Sequence, residues 1–196
     1  LDDTARGEIL DRIRDAAAGR GDMFSGVHFC DSGNYHYMTE LFTSGLLREY
    51  ELVYFDHHTD MKPSMIPELL SCGAWARRVL TEDERLFRIV MAGVPYDDIR
   101  ELSDVDGCGK LICVSEEELS RGGFADKLAA LDMSMPVYIS IDKDVLSDGY
   151  AVTNWSQGDI ELTVLTKALE YFDTRRILGI DICGELPGTD SSVNER

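Results

Sequence analysis

Apolar positions recur along this chain in two alternating rhythms. Residues 4–19 carry Ile9, Leu10, Ile13 and Ala16–Ala17 on one helical stripe, with Gly19 and Gly21 placed to end it. Beyond that point short apolar runs, predicted as strands at Phe24–Phe29, Leu52–Phe55, Phe87–Ala92, Lys110–Val114, Val137–Ile141 and Ile177–Ile182, alternate with helical patterns. Those helices are predicted at Thr39–Leu47, Cys72–Leu80, Phe124–Leu131 and Leu162–Phe172. Strands separated by helices imply crossover connections and a mainly parallel sheet. A run as continuously apolar as Val137-Tyr138-Ile139-Ser140-Ile141 suits a sheet covered on both faces. The expected fold is therefore a three-layer α/β/α domain over residues 1–196. No repeat, low-complexity stretch or linker divides it.

In such folds ligands bind outside the carboxyl ends of the strands, and the chemically loaded residues fall there. Asp56-His57-His58-Thr59-Asp60 follows the second strand. If that segment is extended, Asp56, His58 and Asp60 share one face, while His57 and Thr59 turn away. Ser140-Ile141-Asp142-Lys143-Asp144 ends a later strand and places Asp142 and Asp144 together by the same alternation. Asp31-Ser32-Gly33-Asn34-Tyr35-His36 follows the first strand, where a glycine-permitted turn presents His36 at the same edge. Each cluster has an ordinary reading on its own: a solvated loop, a helix cap, a surface histidine. Together they gather carboxylates that would repel one another without cations between them. We read His36, Asp56, His58, Asp60, Asp142 and Asp144 as metal ligands.

Composition narrows the partners. Hydrophobic residues make up 44 % of the 196 and charged residues 29 %, as in ordinary globular domains. The formal net charge of −18 argues against nucleic acid and suits metal ions or a small cationic substrate. No apolar run reaches the ~18 residues a membrane span needs, and no signal peptide is recognisable. The five cysteines, Cys30, Cys72, Cys108, Cys113 and Cys183, show no Cys-x-x-Cys spacing and read as reduced thiols of a cytoplasmic protein.

The set Ser32–His36, Asp56–Asp60 and Ser140–Asp144, each ending a strand, resembles the arginase–agmatinase–deacetylase superfamily, also called ureohydrolase-like. Ile180-Asp181-Ile182 is similar to that family's late strand, and the likeness runs from about Phe24 to Glu185. The resemblance implies two divalent metal ions, Mn²⁺ by preference, about 3.5–4 Å apart with a hydroxide held between them. One ion would take His36, Asp60 and Asp142 with Asp144 shared, or a close variant. The other would take Asp56, His58 and Asp142. The implied reaction is hydrolysis of a non-peptide carbon–nitrogen bond in a guanidino, formimino or acylated-amine compound.

Several positions depart from the family pattern. Arginases carry a proton-transferring His about a dozen residues after Asp-x-His-x-Asp; here the stretch is Ser71-Cys72-Gly73-Ala74-Trp75. Arginases place a guanidinium-binding Glu three residues after the late-strand Asp; here that position is Gly184, and Glu185 follows. The candidate catalytic residues are Glu185, as a grip on a cationic substrate or a proton carrier, and Asp181, as a hydrogen-bonding support behind a ligand. Two other readings stay open: a single-zinc deacetylase-like enzyme, against which Asp60 speaks, and a metal-binding regulatory module without catalysis.

Overall fold

The computed structural model describes residues 1–17, 24–64, 66, 68–102, 104–105, 109–129, 131–132 and 134–186. Gly19 and Gly21, expected to end the first helix, lie outside the described residues, as does Cys108. Six strands form one sheet: β1 (Val27–Phe29), β2 (Tyr50–Phe55), β3 (Leu86–Val94), β4 (Leu111–Ser115), β5 (Val137–Asp142) and β6 (Ile177–Cys183). Their order is β1-β6-β5-β2-β3-β4, and every pairing is parallel. Helix α1 (Asp3–Ala17) precedes the first strand, and helices α2 (Met38–Ser44), α3 (Trp75–Glu82), α4 (Tyr96–Arg100), α5 (Glu116–Ser120), α6 (Phe124–Leu128) and α7 (Leu162–Glu170) make the crossovers.

Alternation along the central strands builds two cores. Leu52 and Tyr54 pack into one cluster with Leu10, Leu41, Phe42, Trp75 and Val79. Val53 and Phe55 pack into the other with Leu119, Phe124, Leu128, Leu165 and Phe172. Helices α1–α3 thus cover one face and α5–α7 the other, giving the three layers. Strand β2 is buried along its whole length, which accounts for its lack of polar alternation.

The first strand is shorter than the apolar run suggests. Phe24 leaves the sheet to pack edge-on against Phe42 of α2, with ring centroids 6.5 Å apart. Strand pairing begins only after Gly26, whose φ of 103° breaks the extended chain. Helices α4 and α5 fall where no helix is predicted. Each is a single short turn, and α5 is fixed by a capping box between Ser115 and Glu118. Among the described residues no helix is long and apolar enough to cross a membrane.

Candidate metal centre

All six expected ligands meet at the carboxyl edge of the sheet. The parallel ladder sets β5 beside β2 with Ile141 opposite Phe55, so Asp56 and Asp142 leave neighbouring strands side by side. Local structure then differs from the expected extended segments. The His58 amide donates to Asp56 Oδ1 at 2.7 Å, closing a turn, and Asp60 adopts a left-handed backbone with φ of 50°. The Asp144 amide donates to Asp142 Oδ1 at 3.0 Å, with Asp142 capping the short 3₁₀ turn Lys143–Val145. Turns rather than strand alternation aim these side chains inward, because an aspartate oxygen reaches the amide two residues on. His57 and Lys143 do point away, to Glu116 and Glu185 respectively. His36 follows a 3₁₀ turn, Gly33–Tyr35, capped by Ser32, whose Oγ accepts from the Asn34 amide.

Among the described residues three overlapping groups of ligand-type atoms result, one of His36, Asp142 and Cys183 and two that share Asp56. His36 Nδ1 lies 3.1 Å from Asp56 Oδ2 and 3.0 Å from Asp60 Oδ2. His58 Nδ1 lies 3.4 Å from Asp56 Oδ1 and 3.0 Å from Asp144 Oδ2. Asp56 therefore belongs to two of the groups through its two oxygens. Asp142 Oδ2 stands 3.6 Å from His36 Nδ1. This division differs from the expected one, which shared Asp142 and left Asp56 on the His58 side alone. His36 Nδ1 and Asp56 Oδ2 are buried and lack any hydrogen-bond partner, although they are neighbours. With Asp60 they form one close group of ligand-type atoms.

Outer contacts hold the ligands. His36 Nε2 is 2.9 Å from Ser140 Oγ, which donates to Asp181 Oδ1 at 2.7 Å, and Thr39 donates to the same oxygen at 3.0 Å. Since Ser140 spends its proton on Asp181, it accepts from His36 Nε2–H; burial lowers the His36 pKa, but Asp56 and Asp60 outweigh it and hold the imidazole well above its usual value, so a cation at Nδ1 would displace a proton there. Asp181 thus sits behind the ligands and touches none of them directly. His58 Nε2 is fixed by Ser156 Oγ at 2.8 Å. Cys183, which carried no expectation beyond a reduced thiol, donates its Sγ proton to Asp142 Oδ2 at 3.1 Å. Trp75, likewise unremarked in the sequence, donates Nε1–H to Asp60 Oδ2 at 2.5 Å. The only hint of Cys183 is its two-residue spacing from Asp181 on β6, which puts both on one face.

Glycines let backbone approach Asp142 from two sides. A Cβ on Gly33 would meet Asp142 Oδ2 at 2.7 Å, and one on Gly184 would meet Asp142 Oδ1 at 2.5 Å. The structure does not bring Glu185 into this arrangement. Its side chain is 54 % exposed and pairs with Lys143. A cleft of about 430 Å³ opens over Asp56, His58, Asp60, Asp142 and Asp144, walled by Trp155 on one side and by Asp98, Glu101 and Asp104 farther out. Cys72 lines it too, with burial pushing its thiol pKa up.

The electrostatics follow from crowding. Burial, then Asp60 and Asp144, hold the Asp56 carboxyl well above the usual range. Burial pushes His58 down, but Asp144 and Asp56 outweigh it and raise the imidazole to about 10. At neutral pH the metal-free ring is therefore protonated, and a cation among Asp56, His58 and Asp144 must displace that proton. Manganese uptake should release protons, and apparent affinity should climb with pH, approaching ~10-fold per unit up to about pH 9 for one proton exchanged. Calorimetric titrations in buffers of differing ionisation enthalpy would read this; an affinity independent of pH from 6 to 9 would contradict it.

Comparison with known proteins agrees with this geometry. The pattern described as the arginase family matches residues 23–195. An uncharacterized protein of Thermotoga maritima is 32 % identical over 164 residues, which is 82 % of this chain and 58 % of that protein. The agmatine ureohydrolase of Thermoplasma volcanium superposes with a TM-score of 0.73 at 21 % identity, covering 95 % of this chain and 63 % of that one. The proclavaminate amidino hydrolase of Streptomyces clavuligerus gives 0.72 at 20 %, covering 91 % and 61 %. The formiminoglutamase of Trypanosoma cruzi, solved with Mn²⁺, gives 0.71 at 12 %, covering 95 % and 65 %. The chain thus spans 58–65 % of the length of these relatives. On sequence pattern and fold alike, the chain belongs to the arginase family.

Proposed function

We propose that this protein hydrolyses a carbon–nitrogen bond other than a peptide bond, in a small guanidino, formimino or acylated-amine compound, using two divalent cations held by His36, Asp56, His58, Asp60, Asp142 and Asp144. The observation that carries the reading is the pair of buried atoms without a hydrogen-bond partner, His36 Nδ1 and Asp56 Oδ2, in the His36 group, together with the other Asp56 oxygen, which faces the His58 group. Leaving such atoms unsatisfied costs ~1–3 kcal/mol each, a cost that a shared cation removes. The oxygen-rich donor set with two imidazoles suits manganese. Cations bound there lower the pKa of water and supply a nucleophile at neutral pH.

The chain's own residues supply the rest. Asp56 would keep the two positions adjacent, since one of its oxygens faces His36 and the other His58. Ser140, Thr39 and Asp181 fix the His36 ring, and Ser156 fixes His58. The cleft volume falls within the ~300–1,000 Å³ range of small-molecule sites. Its outer lining is mixed in charge, with Asp98 and Glu101 beside Lys62 and the Arg77–Asp104 ion pair, and so offers contacts to both ends of a small polar substrate. Arginine itself should be a poor substrate, because Gly184 carries no carboxylate and the stretch Ser71–Trp75 holds no histidine.

Protein loaded with Mn²⁺ should carry about two equivalents of metal and release urea or ammonia from one class in a panel of guanidino, ureido, formimino and acetyl-amine compounds. Saturation at one equivalent with Asp60 dispensable would favour the single-zinc reading. No turnover across the panel with two ions bound would favour a regulatory module, and rapid arginine hydrolysis would refute the reading of Gly184 and of Ser71–Trp75.

A further inference from the structure

Among the six candidate ligands, Asp60 is held in an unusual way. Its φ of 50° is one of two left-handed values at non-glycine positions among the described residues. Two amides in the first turn of α3, those of Ala76 and Arg77, donate to its carbonyl at 3.1 and 3.4 Å. The first residue of the same helix, Trp75, is fully buried and donates its indole N–H to Asp60 Oδ2 at 2.5 Å. That oxygen is the one 3.0 Å from His36 Nδ1. The indole ring also lies against the His36 ring, with centroids 4.8 Å apart, and edge-on to Tyr54 at 5.3 Å.

We propose that Trp75 is a positioning residue for the cation on the His36 side, acting through Asp60; this rests on the two-cation reading above. The chemistry of the indole explains why it suits the task. It is a donor with no acceptor, so it neither ligates a cation nor takes up a proton. By occupying one lone-pair direction of Asp60 Oδ2, it leaves the other for the group that Asp60 forms with His36 and Asp56. A buried N–H left without its acceptor is costly, so rotation of Asp60 out of the site is penalised by Trp75 as well as by the cation. The His58 group does not contain Asp60, so the effect belongs to one of the two ions. A residue that merely filled the core would influence both positions alike.

The test is a manganese titration of the full chain, followed by the electron paramagnetic resonance of free Mn²⁺. In Trp155→Phe protein Trp75 is the sole tryptophan, and its emission should fall as the His36-side ion binds. Trp75→Phe should weaken one of the two ions by ~10–100-fold, the usual effect of losing a partner of a ligand, and leave the other within about twofold. Should Trp75→Phe fail to fold, incorporation of 3-benzothienylalanine in the Trp155→Phe background removes the N–H while keeping the ring shape, and the same one-ion loss is expected. Two ions bound with unchanged affinities, or both weakened equally, would reduce Trp75 to a packing residue. Wild-type protein that takes up fewer than two ions would instead overturn the two-cation reading, and this role with it.

Discussion

Replacing Asp56 with alanine should abolish function while leaving the metal-free protein at least as stable as before. Its two oxygens reach the two ligand groups separately, so its loss opens both at once. Bound manganese should fall from about two equivalents to below one. Turnover should drop by ~10³-fold or more, since each factor of ten corresponds to about 1.4 kcal/mol and the cations contribute several. Stability moves the other way. A carboxyl whose folded pKa lies well above its unfolded value disfavours the native state once the pH exceeds the unfolded value. Removing it relieves repulsion with Asp60 and Asp144, so metal-free Asp56→Ala should melt no lower than metal-free wild type. Saturating manganese should raise the wild-type Tm by ~5–10 °C, as ~2.7 kcal/mol at a hundredfold excess over Kd implies for a chain of this size. In the variant that rise should vanish. Retention of two ions by Asp56→Ala would show that the carboxylate is not shared.

Restoring a glutamate where arginases carry one should destroy the centre rather than convert it. Gly184 has a φ of 92°, and a Cβ there would meet Asp142 Oδ1 at 2.5 Å and the Lys143 amide nitrogen at 2.8 Å. The second of these is backbone and cannot swing aside. Gly184→Glu, and equally Gly184→Ala, should displace Asp142, weaken manganese binding by ~100-fold and cost ~1–3 kcal/mol from backbone strain alone. That corresponds to ~2–12 °C in Tm. Melting curves and metal titrations of both variants would decide the matter. A Gly184→Glu protein that keeps two ions and gains arginine hydrolysis would refute this account of the position.

The contrast between Gly184 and Glu185 shows how far a motif carries. Counting along the chain places Glu185 one residue beyond the family position, which leaves open a slightly shifted grip on substrate. In the structure the chain turns at Gly184, beside Asp142, and Glu185 reaches out to Lys143. The candidate ligands present the opposite case. Alternation along an extended strand names Asp56, His58 and Asp60 together, yet the structure gathers them through an aspartate-closed turn and a left-handed residue. Residue types survive the error in local conformation, because only a few side chains ligate cations and they stand close in sequence.

By itself the sequence determined the six parallel strands, the covering of both faces and the set of ligand-type residues at strand ends. Hydrophobic periodicity is a local property, and burial on one or both faces of an element imprints it directly on neighbouring positions. Only the tertiary structure decided the strand order that sets β5 against β2 and so brings Asp142 and Asp144 to Asp56 and His58. The same holds for the contacts behind the ligands: Ser140 and Asp181 under His36, Cys183 on Asp142 and Trp75 on Asp60. Each of these is a directional bond between segments distant in the chain or turned by a loop. A tryptophan at the start of a helix reads as core whether its N–H faces hydrocarbon or a carboxylate. Which it faces is fixed by the packing of α3 against the sheet, where a buried donor without an acceptor is not tolerated.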